Sequence, residues 1–133
     1  MSTRCNIIVK DDYNSIQLYR HSDGYPESNF GVISDLKKAL DYAWKLPRME
    51  ASDFAAAIVR AWKDNGGGNI YIDGIANLPE SLHGDIDYYY ILSPGLGNWR
   101  VRVFDGCNPG SKIWEGYIGA EYPEIKYPDI EIT

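Results

Sequence analysis

Apolar residues recur at helix spacing in one block of this chain only, residues 32–65, and the runs on either side of it are β-prone. Within the block, Ile33, Leu36, Leu40 and Ala43 form one stripe at three- and four-residue spacing, which predicts a helix from about Val32 to Leu46. Pro47 stops it. Ser52 is a good N-cap for a second helix, about Asp53 to Asn65, with Asp53 at its positive end. Phe54, Ile58 and Ala61 or Trp62 give that helix its buried stripe, and Gly66-Gly67-Gly68 terminates it.

Ahead of the block, residues 3–10 (TRCNIIVK) and 15–20 (SIQLYR) are β-rich runs separated by Asp11-Asp12-Tyr13-Asn14, a hairpin pattern. Asp23-Gly24, Pro26 and Gly31 make 21–31 a loop. Behind the block, strands are predicted at 69–75, kinked at Gly74, at 86–92 and 99–105, joined by SPGLGN, and at 112–118. The tail repeats Tyr-Pro-acid-Ile at 122–125 and 127–130, and prolines at that density make 119–133 an extended C-terminal arm or edge strand. The order ββ-αα-ββββ predicts an α+β fold with a mainly antiparallel sheet and two helices packed on one side. No domain boundary or long-period repeat interrupts residues 1–133, so one domain is expected.

Net charge −6 and an isoelectric point near 4.8 argue against a duplex nucleic-acid binder, which needs a basic face, but leave room for a small anionic ligand held by local arginines. No apolar run approaches the ~20 residues of a membrane span. Charges return at Lys10, Asp11 and Asp12 before a signal-peptide core could form, so the expected location is cytoplasmic. Cys5 and Cys107 stand far apart without a CxxC pair, so both read as reduced, packed thiols, and no zinc site or other cofactor is expected. Glu80, Asp85 and Asp87 near His83 read as solvated loop acids before they read as metal ligands. Gly66-Gly67-Gly68 lacks the Lys-Ser/Thr of a phosphate loop and follows a helix, and no GxSxG elbow is present.

Eleven tyrosines and four tryptophans lean toward a contact surface, since such rings are apolar in body and polar at the tip, though a sheet protein also fills strands with tyrosine. Two clusters set aromatic rings beside polar and charged side chains. The first is Tyr19-Arg20-His21-Ser22-Asp23-Gly24-Tyr25-Pro26-Glu27. Arg20 offers a planar fork for phosphate or carboxylate, His21 an acid-base group, and Asp23 or Glu27 an orienting carboxylate. Adjacent Arg20 and His21 on a strand point to opposite faces, and Asp-Gly with Pro26 equally makes a structured turn. The second is Asn98-Trp99-Arg100-Val101-Arg102-Val103-Phe104-Asp105. Alternation puts Trp99, Val101 and Val103 on one face and Arg100, Arg102 and Phe104 on the other. Two arginines beside a ring can clamp phosphates and stack a base, or can simply pair with carboxylates. Candidate ligand-binding residues are therefore Arg20, His21, Asp23, Tyr25, Asn98, Trp99, Arg100, Arg102 and Phe104, with Tyr89 of the tyrosine run 88–90. No nucleophile–base–orienter set can be assembled, so no catalytic residue is named and a binding protein is expected rather than an enzyme.

Within residues 3–27, about a fifth of the chain, at Thr3-Arg4, Val9-Lys10-Asp11 and Tyr19-Arg20-His21-Ser22-Asp23-Gly24-Tyr25-Pro26-Glu27, the sequence resembles small phage and prophage proteins, above all the Thoeris anti-defence 1 family. The resemblance implies a non-enzymatic immune-evasion protein that sequesters a cyclic nucleotide signal, such as a cyclic ADP-ribose isomer, without cleaving it. It also implies a homo-oligomer, dimer or higher, in the cytoplasm of an infected bacterium. Under it, Arg20 and Arg102 match phosphate-contacting arginines, and Phe104, Trp99 or a tyrosine of 88–90 stacks the base.

A sponge with nanomolar affinity needs about −12 kcal/mol. Stacking gives about 1–3 kcal/mol per ring and a charge-assisted hydrogen bond about 1.5–3 kcal/mol. Two rings and two arginines reach the target only at the upper end, before association costs. A pocket drawing groups from two subunits is thus the expected construction. Two rivals belong to other classes: a protein–protein inhibitor of a bacterial nuclease or restriction system, and a small hydrolase using His21 with Asp23.

Overall fold

A computed structural model describes residues 3–26, 31–45, 48–66, 69–75, 86–95, 97–108 and 111–118. Its strands are β1 (Cys5–Lys10), β2 (Ser15–Arg20), β3 (Ile70–Ile75), β4 (Tyr88–Gly95), β5 (Asn98–Asp105) and β6 (Lys112–Tyr117). Its helices, α1 (Val32–Ala39) and α2 (Ala51–Asp64), fall between β2 and β3. The six strands form one sheet in the order β3-β2-β1-β4-β5-β6. All neighbours are antiparallel except the central pair, β1 with β4, which is parallel. The α+β order read from the sequence is the one observed. The arm expected at 119–133 and the loop holding Glu80, His83 and Asp85 lie outside the described residues.

One face of the sheet carries the helices. Cys5, Ile7 and Val9 of β1, Leu18 of β2, Tyr90 and Leu92 of β4, and Trp99, Val101 and Val103 of β5 point to it. They meet Ile33 and Leu36 of α1 and Phe54, Ile58 and Ala61 of α2, all buried. Burying an aliphatic or aromatic side chain of this kind stabilises the fold by about 1.5–3 kcal/mol, which is why the apolar stripes dictate the layering. Phe54 of α2 stacks on Trp99 of β5, ring centroids 4.8 Å apart at 8°. No described helix is long and apolar enough to cross a membrane.

Three local details depart from expectation. First, α1 ends at Ala39: the Asp41 and Tyr42 N–H groups donate three residues back, to the Lys38 and Ala39 carbonyls, and the Trp44 N–H beyond them donates to Asp53 Oδ2 at 2.7 Å. Second, Ser52 does not cap α2. The N-cap is Glu50, which makes no side-chain cap bond, and the Ala51 N–H is instead taken by Asp11 Oδ2 at 2.8 Å. Asp11 also accepts from Tyr13 N and Asn14 N, both at 2.7 Å, so one carboxylate ties the β1–β2 turn to the helix. Partial burial pushes its pKa up, but these three donors outweigh that and hold it below the ordinary 3.8. Asp11→Ala is therefore expected to cost about 0.5–2 kcal/mol. The contribution is present above pH 4 or so and fades below the ordinary carboxylate range, which chemical denaturation at two pH values would read. Third, Cys5 is packed and buried, but Cys107 is exposed at the β5–β6 turn, contrary to the expectation for two packed thiols.

Candidate functional site

The opposite face of the sheet has no helix on it among the described residues, and its side chains align in rows across the strands. Tyr71, Tyr19, Asn6, Tyr89 and Phe104 are successive register partners from β3 to β5. Gln17, Ile8, Ile91, Arg102 and Glu115 make a second row, from β2 to β6. The first row holds two stacked pairs: Tyr19 with Tyr71, 5.8 Å apart at 19°, and Tyr89 with Phe104, 4.7 Å apart at 5°. Cross-strand aromatic pairs of this kind add roughly 0.5–1.5 kcal/mol beyond burial. Asn6 and Gln17 are buried here, and both reach Asp73 Oδ2, at 3.5 and 3.4 Å, while Asn6 also donates to the Leu18 carbonyl. Asp73 can turn inward because a bulge at Gln17/Leu18 leaves it outside the β2–β3 register.

Beside the Tyr89–Phe104 stack lie Arg102 and Arg100. Arg100 is ion-paired with Glu115, which Lys112 also contacts. Arg102 stands across from Ile91 and Glu115, and its Nε is buried without a hydrogen-bond partner among the described residues. A buried N–H donor left without an acceptor is costly, so an incoming oxyanion is welcome there. His21 adjoins the far end of the aromatic row, with Nδ1 3.2 Å from the Tyr19 hydroxyl.

Of the ten residues expected to bind ligand, Tyr89, Arg100, Arg102 and Phe104 share this face, and His21 flanks it. The others do not. Arg20 is on the helix side, wholly buried, with Nη1 3.1 Å from Asp35 Oδ2 and its guanidinium 3.4 Å above the Trp62 ring. The expectation that Arg20 joins Arg102 in contacting phosphate is therefore corrected: the sheet separates them. The reason is the strand period, since Ile16, Leu18 and Arg20 occupy alternate positions and the first two are core residues. Trp99 is likewise a core residue, stacked on Phe54. Asn98 sits where β4 and β5 join and accepts its hydrogen bond from Trp99 N at 2.8 Å.

The cluster around Asp23 is a structural turn. Asp23 adopts the left-handed region, φ 53°, and its Oδ1 accepts from the Tyr25 hydroxyl at 2.9 Å. Gly24 is needed for close approach: a Cβ there would lie 2.9 Å from both the Arg4 carbonyl carbon and Cys5 Cβ. Its carbonyl accepts the buried Tyr90 hydroxyl at 2.6 Å. Among the described residues no hydrogen bond joins His21 to Asp23, the pair that hydrolysis would require.

A cleft of about 570 Å³ opens at the other end of the strands, lined by Asp11, Asp12, Tyr13, Asn14, Met49, Glu50, Ser52 and Pro94. None of the expected ligand residues lines it, and its carboxylates would repel a phosphate. Sequence reading missed it because it joins residues about forty positions apart. Among the described residues no group of three or more His, Cys, Asp or Glu side chains is placed to hold a metal ion. No protein-family model, curated protein or solved structure matches the chain.

Proposed function

We propose that this chain is a non-enzymatic binding protein for a small phosphorylated ligand, held on the helix-free face of the sheet. Arg102 supplies the phosphate contact, Arg100 shares its charge between Glu115 and the ligand, and Phe104, backed by Tyr89, offers the stacking ring. The observation that carries the reading is the buried Nε of Arg102 without a hydrogen-bond partner, next to that aromatic pair. Arg20 drops out of the ligand set; its charge is spent inside the core. His21 is retained at the margin of the face as a hydrogen-bonding group.

The ligand class comes from the resemblance at residues 3–27: a cyclic nucleotide immune signal such as a cyclic ADP-ribose isomer, sequestered uncleaved by a phage anti-defence protein in the bacterial cytoplasm. With Arg20 removed, one subunit offers fewer contacts than nanomolar binding needs, which strengthens the case for a shared pocket in a homo-oligomer. Calorimetry with a cyclic ADP-ribose isomer tests the reading. Arg102→Ala is expected to weaken binding by about 1.5–3 kcal/mol, roughly 10- to 100-fold, at unchanged thermal stability. Mass spectrometry of ligand released by denaturation should recover it intact. Absence of binding at micromolar concentrations, or recovery of a cleaved product, sinks the proposal.

A further inference from the structure

The two edges of the sheet are unlike. β6 carries Lys112 and Glu115, paired with each other, the kind of charge that keeps an edge strand from joining another chain. β3 has no Lys, Arg or Pro from Asn69 to Ile75, and its one charge, Asp73, is exposed but reaches from the edge toward Asn6 and Gln17. Among the described residues β3 has a strand neighbour on one side only, β2. Ile72 is 72% exposed and Tyr71 48% exposed, on a strand that lies at the edge of the described sheet. An exposed, largely apolar edge whose single carboxylate leans toward the sheet is a template for β-addition.

We propose that β3 is the surface through which a second copy of this chain docks, antiparallel, about a two-fold axis near Ile72, making one continuous twelve-stranded sheet. A second copy fits better than an unrelated peptide for two reasons. The edge is short and its midpoint falls close to Ile72, so antiparallel self-pairing brings the most exposed apolar side chain of each copy against its counterpart, as an isologous interface requires. With the Asp73 carboxylates drawn inward, the two edges also meet without like charges facing each other. Paired six-residue strands bury less than the ~1,200 Å² of a standard interface, so the dimer is a weak one that forms at micromolar concentrations. The docking would also bring Tyr71 of each copy to the junction. The aromatic rows of the two helix-free faces then run together into one surface. That last consequence alone rests on the ligand reading; the docking itself does not.

Sedimentation of the full chain over a concentration series tests it. The expected result is a reversible monomer–dimer equilibrium, with hydrogen-exchange protection of the β3 amides rising with concentration. Ile72→Lys should give a monomer of unchanged thermal midpoint, because the side chain it replaces is exposed. Ile72→Glu should do the same, and mixing the two variants should restore a dimer through opposite charges across the axis. A chain monomeric at every concentration overturns the proposal. So does a dimer that survives Ile72→Lys with rapidly exchanging β3 amides, since it would be built on another surface. Calorimetry on the monomeric Ile72→Lys variant keeps the ligand reading separable: loss of dimer with retained binding leaves the Arg102 contact standing and removes only the shared pocket, and lack of binding in a normal dimer removes the ligand reading alone.

Discussion

Arg20→Ala is expected to lower the thermal midpoint by roughly 10–25 °C, corresponding to a loss of about 3–5 kcal/mol. Arg20 is fully buried between Asp35 of α1 and Trp62 of α2, so one guanidinium joins β2 to both helices. Truncation leaves the Asp35 carboxylate buried beside a cavity. Replacing both partners, Arg20→Met with Asp35→Leu, is expected to be close to neutral, because the cost lies in stranding one charge and not in losing the pair. Thermal melts of the single and double variants decide this. A mild effect of Arg20→Ala would return Arg20 to the list of ligand contacts.

The same pair sets a pH dependence. Burial pushes the Asp35 carboxyl up from 3.8 to about 6, against the pull of Arg20 and, more weakly, of Lys38, with Asp23 adding to the rise. A carboxyl raised on folding binds its proton more tightly in the native state. Its contribution is therefore full below about pH 4 and lost as pH rises through about 6. Carbon-detected NMR of Asp35 should show that midpoint, and Asp35→Asn should remove this component of the stability–pH curve.

Trp99→Ala is expected to cost about 3–5 kcal/mol, whereas Phe104→Ala, five residues further along the same strand, should cost far less and act on ligand binding. Trp99 is buried against Phe54, while Phe104 lies half-buried on the helix-free face. Urea unfolding of both variants, followed by calorimetry, separates the two faces. Retained stability with lost binding in Trp99→Ala would put that ring in the site after all.

Much of this was legible in the residues. The N-terminal hairpin, α2, the four later strands and the alternation in 99–105 all follow from spacing and breakers, because each is decided within a few residues. Features that failed are decided elsewhere in the chain. Asp11 does the capping at α2 that local pattern gave to Ser52. Arg20 looked like a surface fork because arginine is rarely buried, yet Ile16 and Leu18 at alternate positions were the signal that its side faces the core. The parallel pairing of β1 with β4 left no local trace, and the rows across the helix-free face depend on it.

That central pairing has a consequence for how the chain comes to be folded. β1 is synthesised well before one of its two neighbours, β4, which begins at Tyr88. At about 5–20 residues per second, the hairpin and helices wait several seconds with Ile7, Ile8 and Val9 open along one side. Nascent chains are thus most prone to mispairing or chaperone capture before β4 emerges, and a fragment ending at residue 75 has no route to the native core.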